Sequence, residues 1–429
     1  MATHGIRDKV AIVGMGCTPF GERWDCSAED LLIDANAAAL GDAGLAQDDI
    51  DAYWLGTLAS GNSGQLLSKA LKLNYKPVTR VENFCATGSE AFRNACYAVA
   101  SGAVDVAMAI GVEKLKDSGY SGLVTGSFPN DGTSPGLTAP AAFGLLAPAY
   151  ANAYGLDDEQ LKDVITRIAW KNHFNGARNP RAQFQKELTL EAIRRSPRVS
   201  GMLGVMDCSG VSDGSAAAIV VRAEDAHKYC ENPLYVKALS MVAGPGDGPM
   251  DPTFDYTSIR EVVECARNAY REAGVDNPRA QLALAEVHDC FTPTELVLME
   301  DLGFSDRGQG WRDVLDGAFD LDGELPVNPD GGLKSFGHPI GASGLRMLFE
   351  CWLQLRGQAP PERQISSITR GERNLGLTHN LGGRPGDCVS FISVVGTDLT
   401  DTSEGLTDTS EGRIDVPATA TDKSIGATQ

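Results

Sequence analysis

Two cysteines and two histidines stand where their side chains could do chemistry. Cys85, in "NFCATGSEAF", lies between a short extended segment and a run that reads as a helix. Backbone N–H groups at a helix start favour a thiolate over a thiol, and the small residues Ala86, Thr87, Gly88 and Ser89 leave room for a substrate. Read alone, the same thiol is equally a small apolar filler. His338, in "NPDGGLKSFGHPIGASG", also precedes a helix start, where a histidine can be a base or simply a packed turn residue. His288 and Cys290, in "EVHDCFTPTEL", come straight after an apolar strand; in an extended segment positions i and i+2 point the same way. A thiol, a base and a second thiol with its own histidine are the parts of nucleophilic catalysis with proton transfer. Asp289 between them reads as a solvent-facing residue or a helix cap.

Such groups must be brought together by elements far apart in sequence, and the chain carries an internal duplication that could do so. "KVAIVGMG" (9–16) reads as a buried strand. The helix after it has Ser27 as its cap, Asp30 three residues on and Gly44 as its stop, and "AYWLG" (52–56) is the next strand. The order returns as "LYVKALSMVAG" (234–244), a helix over 257–274 with Ser258 and Glu261 as a capping box, and "LALAEV" (282–287). "CATGSEAFRNACYAVASG" (85–102) aligns with "IGASGLRMLFECWLQLRG" (340–357), setting Cys96 on Cys351 and Gly102 on Gly357. The strand "VDVAMAIG" (104–111) then matches "CVSFISVVG" (388–396). Cys85 and His338 occupy equivalent turns, so a pseudo-two-fold axis would bring them face to face.

Alternating strands and helices predict an α/β fold with a mostly parallel sheet under helices. The organisation is a first half of residues 1–111 with 205–232, an inserted loop domain of 112–204, a second half of 233–396, and a tail of 397–429. The loop domain is rich in Gly, Pro and Asn and is the expected place for substrate contacts. The tail repeats "LTDTSEG" and reads as disordered, because it has too little apolar surface to offset its ordering entropy.

The formal charge of −20 argues against nucleic acid and anionic membrane as partners. The start has no long apolar run, the end has no SKL-type address, and a cytoplasmic location is expected. The ten cysteines include no CxxC or other zinc-ligand spacing, so disulfides and a metal site are not expected. Cys96, Cys351 and Cys388 read as core, Cys208 less clearly so, and Ser212, Asp213 and Gly214 as a structural turn.

Together, "NFCATGSEAF", "HDCFTPTEL", "NPDGGLKSFGHPIGASGL", "CWLQLRG", "THNLGG" and "KNHFNGARNP" resemble the thiolase superfamily, specifically the sterol-carrier-protein-2-type thiolases, over roughly residues 8 to 396. The resemblance implies two duplicated βαβαβ halves packed as α-β-α-β-α layers with the inserted loop domain. It implies transfer of an acyl group through Cys85, with His338 as base, His288 as second oxyanion donor and Cys290 as acid/base. The backbone N–H groups of Cys85 and Gly382 would form a further oxyanion hole. Coenzyme A would be a co-substrate, with Lys171, Arg178, Arg181 and Lys186 as candidate contacts for its anionic end; these cations equally fit a solvated basic face. A homodimer or dimer of dimers in lipid metabolism and β-oxidation is implied, and the "NLGGRPG" loop suggests a small OB-fold, zinc-ribbon partner subunit.

One departure is Asn380, where many thiolases carry their second cysteine; the HDCF subgroup supplies it from the other loop, here as Cys290. Condensing ketosynthases use a Cys-His-His set but need no second thiol. Retro-aldolase relatives usually have the nucleophilic cysteine altered, and a non-catalytic acyl-CoA or sterol carrier would lack at least one of these groups.

Overall fold

The first half runs β1 (Val10–Cys17), α1 (Ala28–Ala43), β2 (Ala52–Gly56), α2 (Gln65–Leu71), β3 (Val78–Val81), α3 (Thr87–Ala100) and β4 (Val106–Glu113). This is a computed structural model, which describes residues 5–117, 138–248 and 251–399. Residues 118–137 of the loop domain and the acidic tail from residue 400 lie outside the described residues, and the expectation for the tail lies outside them too. Helices α4 (Ala139–Gly144), α5 (Leu146–Tyr154), α6 (Asp158–Gly176) and α7 (Leu190–Arg194) and a hairpin of β5 (Arg198–Ser200) and β6 (Leu203–Gly204) precede β7 (Gly214–Arg222). The second half comprises β8 (Leu234–Ala243), α8 (Arg260–Ala273), α9 (Pro278–Gln281), β9 (Leu282–Glu286), α10 (Thr292–Asp301), α11 (Gly310–Leu315), α12 (Gly332–Ser335), α13 (Ser343–Leu355), α14 (Ser366–Thr369), β10 (Leu375–Arg384) and β11 (Asp387–Gly396).

The strands form one nine-stranded sheet in the order β3-β2-β4-β7-β1-β8-β11-β10-β9. Parallel pairing, as expected for strands joined through helices, links β2 to β3 and β4, and β9 to β10. The inner pairs β4–β7, β7–β1, β1–β8, β8–β11 and β11–β10 are antiparallel, so the sheet as a whole is mixed. The order is a palindrome about the short β1–β8 join. It makes β10 the counterpart of β4, and β11 the counterpart of β7. The match of 388–396 to 104–111 is therefore corrected by the sheet, because β10 stands between α13 and β11 and takes the parallel place beside β9. β3 is matched by a single parallel bridge, Ala285 to Val327.

Helix α1 packs on the β1, β7 and β4 side and α8 on β8 and β11, while α3 and α13 pack on each other between the two halves. This is the five-layer arrangement. Ser27 and Asp30 form the capping box on α1, and Gly44 ends it in the left-handed region at φ 65°. The second capping box is not formed. Ser258 Oγ donates to Asp301 and the Ile259 N–H donates to the same carboxylate, so α8 is capped from α10 and begins at Arg260. Apolar residues of α5 and α6 share one cluster with α8, α10 and β9, joining the inserted segment's helices to the second half's core. Among the described residues no helix is long and apolar enough to cross a membrane.

Helices α3 and α13 meet at their N-terminal ends through glycines. A Cβ on Gly88 would lie 2.8 Å from Gly341 O, and one on Gly344 would lie 2.6 Å from Ser89 N and 2.8 Å from Asn380 Oδ1. One on Gly111 of β4 would collide with Gly341 O. Gly344→Ala should therefore lower stability by about 1–3 kcal/mol, through overpacking against backbone that cannot move cheaply. A fall in the urea midpoint with unchanged slope is the expected reading.

Candidate active site

Cys85 lies at a sharp turn between β3 and α3. Phe84, just before it, has φ 48°, a region unfavourable for a side chain of this size. The turn is held by short local bonds. Phe84 N–H donates to Glu82 Oε1 (2.5 Å), Thr87 Oγ donates to Phe84 O (2.5 Å), and Asn83 N–H donates to Thr87 Oγ (2.9 Å). Such over-determined strain fixes where a side chain points. Cys85 is partly exposed, whereas His288, His338 and Cys290 are buried.

His338 is fixed through both backbone and ring. Its N–H donates to Ser212 Oγ (2.9 Å), and its Nδ1 meets Ser343 Oγ at 2.8 Å. Ser343 Oγ gives its own proton to Pro339 O (2.9 Å), so it accepts from Nδ1–H. That leaves Nε2 of His338 unprotonated, and it has no partner among the described residues. The His288 and His338 rings stand 5.4 Å apart at 83°, and one ligand atom from each, with the Cys85 sulfur, fall within 4.8 Å of one another. Cys290 Sγ lies 4.0 Å from Thr294 Oγ and is close enough to Cys85 to feel its charge. Gly382 in β10 runs against the Cys85 turn; a Cβ there would collide with Asn83 O.

The electrostatics hold these groups neutral. Burial pushes the Cys85 thiol up to about 12, helped by the carboxylates of Glu113 and Glu82. Burial pushes His338 down to about 3, with the Arg346 guanidinium adding to it, and lowers His288 well below the usual imidazole range. Cys290 is raised by burial and then by Cys85. The thiolate expected at a helix start is therefore absent at rest: Cys85 stands ahead of the first helical residue, and burial beside two acids outweighs the helix dipole.

Beneath the site, Arg346 Nη1 binds Glu286 Oε2 and Asp330 Oδ2, each at 2.5 Å, all three side chains wholly buried. Asp289, read as solvent-facing or a cap, is buried and caps α12 from another segment, accepting the N–H groups of Leu333 (2.7 Å) and Lys334 (3.1 Å). It ties the His288–Cys290 turn to the segment that leads to His338. Asn172 bridges Asp289 (2.8 Å) and Glu295 (2.7 Å), and Asn175 and Asn179 donate to the carbonyls of Asn328 and Asp330 (3.0 Å each). "KNHFNGARNP" is thus the frame that holds both loops. Sequence reasoning missed Ser343, Arg346 and Asn172; their signal was that Ser343 and Asn172 fall inside the quoted motifs and Arg346 directly follows one.

Of the four cations suggested for coenzyme A, Lys171 is corrected: it is buried, paired with Glu295 Oε1 at 2.6 Å and bonded to Val327 O at 2.7 Å. Arg181 Nε donates to Cys17 O (3.2 Å) and Arg178 pairs with Glu187 (2.5 Å), while Lys186 is exposed. Asn380 accepts from Ser89 Oγ (2.5 Å) in the place considered for a second thiol. Cys96, Cys351 and Cys388 are buried. Cys208 is partly exposed beside the Cys290 turn, where Ser209 N–H donates to Cys290 O (2.8 Å). Ser212 does more than shape a turn, since it holds the backbone of His338, and Asp213 accepts from Lys114, Leu115, Lys116 and Arg23.

A duplicated α/β fold sets a cysteine at one half's turn opposite a histidine at the other's, with a second Cys–His pair beside them, an arrangement suited to acyl transfer. Residues 10–224 match the family profile "Thiolase, N-terminal domain" and 250–392 match "Thiolase C-terminal domain-like". An acetyl-CoA acetyltransferase of Methanothermobacter thermautotrophicus is 38% identical over 89% of this chain and 98% of its own length. Sterol carrier protein 2 of Bos taurus is 32% identical over 88% of this chain and 70% of its own. A solved structure of an Ltp2-ChsH2(DUF35) aldolase is 25% identical, covers 92% of this chain and 99% of that one, and has a TM-score of 0.77. The chain belongs to the thiolase family and is an acyltransferase.

Two expectations follow. Because Cys85 rests as a thiol at about 12, its alkylation by iodoacetamide should rise about tenfold per pH unit through pH 6–9 without a plateau; intact-mass rates read this. A thiolate–imidazolium pair would instead give a rate that levels off near neutrality. Ser343→Ala frees the His338 ring and should slow acylation of Cys85 roughly 10- to 100-fold with little change in KM, as read by single-turnover kinetics.

Proposed function

We propose that this thiolase cleaves a 3-oxoacyl-CoA with coenzyme A, or runs the reverse Claisen condensation, through an acyl-cysteine on Cys85. The reading is carried by one observation, the convergence of Cys85, His288 and His338 within 4.8 Å beside Cys290. In cleavage, the Cys85 sulfur bonds to the 3-keto carbon as its proton passes to Nε2 of His338. The tetrahedral intermediate collapses with loss of the C2–C3 bond, and Cys290 gives a proton to the departing acetyl-CoA carbon. Coenzyme A then gives its thiol proton to the Cys290 thiolate and takes the acyl group, while the departing Cys85 sulfur recovers its proton from His338. The 3-keto oxygen is received by the backbone N–H groups of Cys85 and Gly382, and the thioester oxygen by the His288 ring and, once it has taken the Cys85 proton, by Nε2–H of His338. Neutral resting groups suit this role, since charge then develops only when a carbonyl arrives to accept it.

Arg178, Arg181 and Lys186 remain as candidate contacts for the anionic end of coenzyme A, which serves as co-substrate with no bound cofactor. A homodimer or dimer of dimers acting in cytoplasmic lipid metabolism, such as β-oxidation, fits the family. A small OB-fold, zinc-ribbon partner fits the "NLGGRPG" loop, and the similar aldolase structure is named for two components, Ltp2 and ChsH2. The same likeness favours carbon–carbon cleavage without an acyl-enzyme as a second reading; the intact Cys85 weighs against it.

Incubation with acetoacetyl-CoA should leave an acetyl group on Cys85, seen by mass spectrometry and lost in Cys85→Ala. Cys290→Ala should still form the adduct from acetyl-CoA while losing carbon–carbon bond chemistry by about 100-fold or more. Wild-type turnover in Cys85→Ala would overturn the acyl-enzyme in favour of the aldolase reading. Retained condensation in Cys290→Ala would favour a ketosynthase.

A further inference from the structure

We propose that Cys85, His288 and His338 also form a binding site for a soft divalent cation of the zinc class, which holds the enzyme reversibly inactive by capping its nucleophile. The inhibitory consequence rests on Cys85 being the nucleophile; the binding itself rests on geometry alone. One sulfur and two imidazole nitrogens, each able to act as a ligand, already lie within 4.8 Å of one another. Zinc bonds of about 2.3 Å to sulfur and 2.0–2.1 Å to nitrogen place tetrahedral ligands roughly 3.3–3.7 Å apart. Small rotations of these side chains close that gap.

Three further observations favour a cation here. Nε2 of His338 is a bare lone pair on a wholly buried ring, without a partner among the described residues, because Ser343 holds the other nitrogen as N–H. That hydrogen bond is the outer support that metal-binding imidazoles usually have. The carboxylates of Glu113 and Glu82 act on the Cys85 sulfur and make its surroundings attractive to positive charge. The guanidinium of Arg346, which lowers the proton affinity of both imidazoles, opposes a cation here, and its ion pairs with Glu286 and Asp330 offset part of that charge. Cys85 is the partly exposed member of the set and gives the ion its way in.

Binding exchanges one proton for one metal ion: the S–H bond of Cys85 breaks, a sulfur–metal bond forms, and the proton goes to solvent. No oxidant or reductant is needed. Three protein ligands leave a fourth position for water. The cysteine spacing that argued against a metal site in the sequence could not reveal this one, because its ligands come from three separate segments.

Cobalt(II) titration of the metal-stripped protein, without coenzyme A or added thiol, tests this independently of turnover. The expected result is one ion per chain, with visible bands of tetrahedral cobalt and a sulfur-to-cobalt charge-transfer band. Prior acetylation of wild-type Cys85 should abolish both, and zinc should displace the cobalt. His288→Asn should weaken the ion about tenfold or more. Cys208→Ala, at the other partly exposed thiol near the site, should leave the spectrum unchanged. No uptake at millimolar cobalt, or the same spectrum in Cys85→Ala, would overturn the proposal whether or not the enzyme is a thiolase.

Discussion

The N-terminal ends of α3 and α13 can touch only because glycine occupies the contact, and the catalytic arrangement depends on that approach. Gly88 faces Gly341, and Gly344 faces Ser89 and Asn380, at separations too short for a methyl group. The turn before α3 carries Cys85 and the turn before α13 carries His338. Two helix starts packed end to end, each backed by its own half of the sheet, set the thiol opposite the imidazole. Gly111 lets β4 pass under the same point, and Gly382 lets β10 pass beside the Cys85 turn. The site lies at the join of the duplicated halves, where neither half alone has both groups.

A second constraint is the cost of burying so many polar groups. Arg346 with Glu286 and Asp330, Arg363 with Glu350, and Lys171 with Glu295 are ion pairs inside the second half or between it and the inserted segment. Such pairs add little net stability, but loss of one partner commonly costs about 3–5 kcal/mol. They give direction rather than bulk cohesion. The Asn172–Asp289 bond and the Asp289 cap on α12 lock the His288 turn to the His338 segment. The charge of Arg346 also helps keep both imidazoles neutral.

Much of the fold was legible in local pattern. The α1 capping box, the glycine stops, and the strands over 10–17, 52–56 and 282–286 follow from short-range rules. The errors share a cause. Ser258 lost its capping role to Asp301, Lys171 was drawn inside by Glu295, and the counterpart of β4 was taken one strand too late. In each case a partner distant in sequence outweighed the local preference, and nothing in the local string records that partner.

The residue types alone determined the inventory: a cysteine at a helix start, a histidine at the matching turn of a repeat, and a second Cys–His pair after a strand. They also determined that the halves are copies, because stops and helix lengths recur. Tertiary structure decided the state and geometry of those groups. Burial beside Glu113 and Glu82 made Cys85 a resting thiol, against the local expectation of a thiolate. The Ser343–Pro339 bond chose the tautomer of His338. Proton affinity and tautomer depend on which charges and dipoles surround an atom in three dimensions, and a sequence states only which residues are available to do so.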